Sequence, residues 1–150
     1  TVRRFSFSLE PILRMRAHEE RRVEHRLADI TGKCVLLRRE IADLTARKIG
    51  SYENVAAEFR ADIAFRQDHD AFVQGIQLRV DRLERELARR ETERAAVQEE
   101  YRAVRARRKA IEELRNRRET DHYRAERAAE NRTIDEIGGS VYLQNRQADG

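Results

Sequence analysis

Tryptophan is absent from this 150-residue chain, cysteine and proline occur once each, glycine six times, and aromatics make up only 6%. So few aromatics and turn-forming residues exclude a thick-cored globule or a β-rich domain. The single cysteine, Cys34, excludes an internal disulfide; it falls among apolar residues at helical spacing and reads as small filler in a reducing compartment. No apolar run approaches the roughly 20 residues needed to span a bilayer, and the opening Thr1-Val2-Arg3-Arg4-Phe5 lacks the apolar core of a signal peptide. A soluble cytoplasmic protein is the default expectation. Catalytic motifs are missing too: there is no Gly-rich phosphate loop, no G-x-S-x-G and no Cys/His pair at metal spacing. His18-Glu19-Glu20-Arg21-Arg22 starts like a zinc-protease helix, but Arg22 stands where the second histidine belongs. Glu119-x-x-His122 is one carboxylate–histidine pair where a di-metal centre needs two. No catalytic residue, metal site or cofactor is expected, and the chain does not read as an enzyme.

What the chain does have is charge and periodicity. Charged residues make up 40%, and between them runs an apolar seam at alternating spacings of four and three: Val23, Leu27, Ile30, Cys34, Leu37, Ile41 and Leu44, ending at Lys48. A mean spacing of 3.5 is the signature of one helix lying along another in a coiled coil. The seam returns in Val73, Ile76, Val80, Leu83 and Leu87, with Phe59 in register upstream. It degrades at Arg90 and Arg94, recovers at Val97, Tyr101 and Val104, and turns to Arg108, Ile111, Arg115 and Arg118.

Punctuation sets the expected boundaries. Ser8 reads as the cap of the first helix, with Pro11 where its missing N–H costs nothing and Phe7–Ile12 as a hydrophobic staple. Gly50-Ser51-Tyr52-Glu53-Asn54 reads as the turn, Gln67-Asp68-His69-Asp70 as a weaker candidate, and Gly138-Gly139 as the final stop. The expectation is an all-α chain of one coiled-coil domain, residues 1–150. It comprises a helix over about 8–49, a turn at about 50–54, a helix over about 55–137, and a frayed tail over 138–150. At 1.5 Å per residue the arms span roughly 60 and 120 Å, so an antiparallel hairpin leaves the second helix overshooting. The overshoot is expected where seam positions become arginine, as suits a helix without a partner. A parallel homodimer of continuous helices is the rival arrangement.

The 32 basic and 28 acidic residues are interleaved. Arg102, Arg105, Arg107, Arg108, Lys109, Arg115, Arg117 and Arg118 form a basic run, and a basic helix continuing a coiled coil is how zipper proteins enter the major groove. Glu99, Glu100, Glu112, Glu113 and Glu119 interrupt it at helix-pair spacing, which favours a solvated, salt-bridged face over nucleic acid. Phe65 and Phe72 lie seven apart, each one residue before a seam position, with Tyr52 and Ile63 nearby. They either widen the hairpin's own core or form an exposed anchor for a partner.

Both ends and the middle resemble the FliJ family of flagellar export proteins. The opening Phe5-x-Phe7-x-Leu9-Glu10-x-x-Leu13-Arg14-x-Arg16 followed by Glu19-Glu20 is similar to that family's N-terminal pattern. Glu130-Asn131-x-x-Ile134-Asp135-Glu136-Ile137 is similar to its C-terminal pattern, and Phe72-Val73-Gln74 to its middle. The resemblance implies a non-enzymatic antiparallel coiled coil like the central stalk of rotary ATP synthases. Such a stalk would bind the hexameric flagellar export ATPase, promote its assembly and activity, link it to the cytoplasmic domain of the export gate protein, and assist export chaperones. It would lie in the cytoplasm, peripheral to the inner membrane at the flagellar base. Carried over residue by residue, Tyr52, Phe65, Phe72 and Ile76 would face the gate. Phe7, Leu9, Leu13, Arg16, Ile134 and Glu136 would face the ATPase. A generic coiled-coil scaffold or chaperone is the alternative class, and a basic-helix nucleic-acid binder a more distant one.

Overall fold

The computed structural model describes residues 2–57 and 62–150. Two long helices pack against each other: α1 (Glu10–Ala57, 48 residues) and the longer α2 (Ile63–Ala148, 86 residues). No strand occurs among the described residues. They group into two compact units, one formed by Arg21–Ala103 and one by Thr1–Glu20 with Val104–Gly150.

In the Arg21–Ala103 unit, Lys48 near the end of α1 donates to Gln77 near the start of α2 (2.9 Å), while Arg26 meets Glu100 (2.9 Å). Pairing late residues with early ones is antiparallel, so this unit is an intrachain hairpin rather than half of a parallel dimer. Its core is the expected seam. Val23, Ile30, Cys34 and Leu44 of α1 are buried, as are Ile76, Val80 and Val97 of α2. Leu44, Ile76 and Val80 form one cluster, with Ile41 and Leu83 packed on it. Arg38–Glu91 and Arg79–Glu40 ion pairs flank the seam. These pairs are half exposed and add little beyond orientation.

The expected turn is corrected. α1 passes through Gly50–Asn54 as helix and ends at Ala57, and Gln67–Asp70 is helical as well. A helical glycine costs only about 1 kcal/mol relative to alanine. Against that, the seam continues at its spacing through half-buried Lys48, Ser51 and Val55, and α2 answers with half-buried His69 and Val73. Breaking α1 at Gly50 would forfeit those contacts. The start of α2 is fixed by Asp62: its Oδ1 accepts from Phe65 N–H (2.8 Å) and its carbonyl from Arg66 N–H (3.1 Å), the geometry of an N-cap. Phe59 lies outside the described residues.

In the other unit, residues 2–7 are non-helical and lead through a turn into α1. Backbone groups make that turn, with Glu10 N–H donating to Phe7 O (3.1 Å) and Leu13 N–H to Leu9 O (2.9 Å). The helix therefore starts one residue later than a Ser8 cap implies. Phe7 is buried while Ile12 is exposed, so the staple contact does not account for Phe7. The second stop is corrected too: α2 runs through Gly138-Gly139 to Ala148. No glycine has positive φ, so neither supplies the left-handed residue of a helix-ending cap. From residue 127 onward every residue of α2 is exposed.

Candidate partner-binding surfaces

The Arg21–Ala103 unit places three of its four candidate gate-facing residues on the surface. Tyr52, Phe65 and Phe72 are exposed, whereas Ile76 is 7% exposed and sits in the Leu44–Val80 cluster. Ile76 is thus a core residue that supports the helix carrying Phe72, one turn away. Phe72 and Gly75 line a shallow groove with Leu44 and Ala71, and Arg47 and Arg79 stand at its sides. The groove lining is mostly apolar, with Ile76 beside Phe72, and of its two arginines Arg79 is already paired with Glu40. Arg47, Gly75 and Arg79 were not among the expected site residues. For Gly75 and Arg79 the signal was available, since three and seven residues from Phe72 share its face; Arg47 comes from α1, and spacing along α2 could not have found it.

Near the turn, the Tyr52 ring meets His69 edge-on at 5.0 Å. Ser51 Oγ spends its hydrogen on Lys48 O (2.6 Å), so the 3.1 Å contact with His69 makes the imidazole Nε2–H the donor. His69 therefore ties the first turns of α2 to the last turns of α1 while Tyr52 stays half exposed.

The unit containing both termini gathers most of its candidates around the N-terminal segment. Phe5 and Phe7 stack at 6.4 Å, the Arg118 guanidinium lies 5.7 Å over the Phe7 ring, and Phe5 sits 5.7 Å from His122. His122 Nε2–H donates to Arg3 O (2.8 Å). A cation over an aromatic face adds about 0.5–1 kcal/mol at exposed sites and more when desolvated. Leu9 in the turn and Leu13 in α1 are half-buried, and Arg16 pairs with Glu19 (3.1 Å). Ile134 and Glu136 are exposed and lie roughly 18 Å or more beyond His122 along α2. The N-terminal residues therefore do not join them in one contact. With Ile137 and Val141, Ile134 forms an unpartnered apolar stripe.

Two of the three seam arginines expected to mark a partnerless overshoot, Arg108 and Arg115, are paired. Arg108 grips Glu20 with two bonds (Nε–Oε2 2.5 Å, Nη2–Oε1 3.2 Å) and also meets Glu112. Arg115 meets Glu10 (3.1 Å) and Glu119 (3.6 Å). The hydrogen bond from Arg108 holds the Glu20 carboxyl below its ordinary pKa. Burial opposes that shift, and the charges of Arg108, Arg105 and Lys109 reinforce it. Glu20 in turn pushes the Arg108 guanidinium further up, against burial. Arg102, Arg107 and Arg117 are also in ion pairs, with Glu99, Glu19 and Glu113. Beyond Arg115 the half-buried positions of α2 become Glu119, His122 and Glu126. Two consecutive steps of four are a stutter, which locally unwinds a coiled coil. The stutter falls where the non-helical N-terminal segment replaces α1 as the partner. Arg118, expected in the seam, is exposed and reaches over Phe7 instead.

Among the described residues no group of three or more His, Cys, Asp or Glu could hold a metal ion. No helix there is long and apolar enough to cross a membrane. What the fold defines is a coiled-coil hairpin protein with aromatic and aliphatic side chains exposed on a seam-held scaffold. A family model described as flagellar FliJ protein matches residues 5–147. The chain belongs to the FliJ family, components of the flagellar export apparatus. No curated protein and no solved structure matches it.

Proposed function

We propose that this chain is the stalk component of a flagellar export apparatus. In this reading it binds the hexameric export ATPase through the unit carrying both termini, promoting ring assembly and hydrolysis. It reaches the cytoplasmic domain of the export gate through the aromatics near the turn, and it assists export chaperones. Family membership supports the setting. The observation that carries the reading is Phe72: it is 50% exposed, one turn from buried Ile76. Fully burying a phenylalanine yields about 1.5–3 kcal/mol, and the hairpin leaves much of that ring in solvent beside a groove. Large exposed aromatics are where interface energy concentrates. At the other end of the sequence, the Ile134–Ile137–Val141 stripe offers a second apolar surface.

The first test is ATP hydrolysis by the cognate export ATPase with and without this protein, at two salt concentrations. An unrelated coiled coil of similar charge is the control. Stimulation specific to this chain, with more ring assembly, is expected; none, with the chain folded and the ATPase active, would return it to a generic scaffold. Phe72→Ala is expected to keep full helicity by circular dichroism and to weaken gate binding tenfold or more, about 1.4 kcal/mol or above. Unchanged binding would assign the aromatic stripe to the hairpin alone.

A further inference from the structure

The outward face of α1 carries a pattern that its own hairpin does not use. Opposite the seam, Ala28, Gly32, Val35, Arg39, Ala42, Ala46 and Ile49 recur at the same alternating spacings of four and three. All are exposed, and Leu36 beside Val35 is 64% exposed. An open groove runs along the first half of this face, lined by Ala28, Gly32, Val35 and Leu36. Heptad spacing on a helix surface is what packing against another helix requires. α1 therefore presents pairing geometry on two opposite sides, and α2 occupies only one.

We propose that the outward seam is covered by the same face of a second copy of this chain, α1 against α1, antiparallel about a two-fold axis near residues 40 and 41. A two-fold interface must be complementary to itself, and this seam is, in size and in charge. Antiparallel pairing about that axis sets Ile49 of one copy over Gly32 of the other, and Val35 over Ala46, each large side chain meeting a small one. It also brings Arg39, the one charged residue in the seam, over Ala42 and beside Asp43 of the second copy, twice by symmetry. Among the described residues, the ion pairs of α1 in this unit use Arg26, Asp29, Lys33, Arg38 and Glu40 and leave Arg39 and Asp43 available for that contact. A parallel arrangement would stack Arg39 on Arg39 and Gly32 on Gly32, with like charges opposed and a void. The seam is about 33 Å long and one helix, about 12 Å, wide. That corresponds to roughly 400 Å² per copy, half the roughly 800 Å² per partner of a stable interface. The dimer is accordingly weak and forms at high local concentration. This inference rests on the hairpin alone and not on the stalk reading.

Sedimentation equilibrium of the full chain over a wide concentration range tests it. The weight-average mass is expected to rise from 17.7 kDa toward twice that value. Arg39→Asp is expected to abolish the rise without loss of helicity, and the swap of Arg39→Asp with Asp43→Arg to restore it. Mixing Gly32→Cys and Ile49→Cys copies gives the orientation: short bifunctional maleimides should join 32 to 49 in preference to 32 to 32. Cys34, fully buried, is shielded from the reagent. A chain that stays at monomer mass at every concentration, a charge swap that fails to restore association, or dominant 32–32 products would each overturn the proposal.

Discussion

The two units solve one packing problem with different chemistry. Among the described residues, the Arg21–Ala103 unit buries seven apolar side chains along its seam, and the unit holding both termini buries only Phe7 and Val104. The second compensates with directed contacts. Arg108 is held by Glu20 and Glu112, Arg115 by Glu10 and Glu119, and Phe7 lies under Arg118. Apolar burial is non-directional and is not weakened by charge screening. Ion pairs demand a particular partner, contribute modestly when solvent reaches them, and weaken as salt screens them. Equal helix geometry therefore does not imply equal stability, and the chain carries a firm half and a condition-sensitive half.

The sharpest way to break this comparison is to damage the firm half. Ile76→Ala should cost about 3 kcal/mol, the order seen for large-to-small changes in cores. Urea melts followed by hydrogen exchange should show the loss among amides of the Arg21–Ala103 unit. Glu20→Gln should cost less, about 1 kcal/mol, since the pair is only partly buried. Its effect on exchange near Arg108 should fade at 1 M salt, whereas that of Ile76→Ala should persist. Acid sharpens the same contrast. Because Glu20 has a lowered pKa in the folded state, its contribution is fully present above the ordinary glutamate value of about 4.3. It disappears as pH falls through the lower folded value, so protection around residues 104–122 should decline first on acid titration. The smallest effect is expected at Gly139→Ala. An added Cβ there meets nothing within 4 Å, so helicity should rise, with a gain of at most about 1 kcal/mol.

Periodicity made the scaffold legible. Every residue from Val23 to Leu44 read as seam is buried or half-buried, and α2 repeats the pattern from Val73 to Val104. The turn was not legible, because glycine and serine were weighed as breakers without the seam on both sides of them. The informative residue was Asp62, an N-cap with no glycine beside it. That displacement explains the misread arginines. Each residue by which the break moves later in α1 carries its pairing two residues further along α2. Glu20 and Glu10 thus meet Arg108 and Arg115, which a turn at Gly50–Asn54 would have left partnerless. At the candidate surfaces, sequence spacing could place Phe72 beside the seam but could not decide between core and solvent. Spacing placed Ile76 in the seam, where it packs with Leu44; only the resemblance turned it toward a partner.

The cap at Asp62 also makes the chain a device that counts residues. In a hairpin with a seven-residue repeat, the apolar positions of α2 come back into register only after a slip of a whole heptad, roughly 10.5 Å. A residue added after Asp62 turns all that follows in α2 by about 100°. Phe72 would swing to a new heading, and every later contact of α2 would turn with it. Along α2, length is an angle.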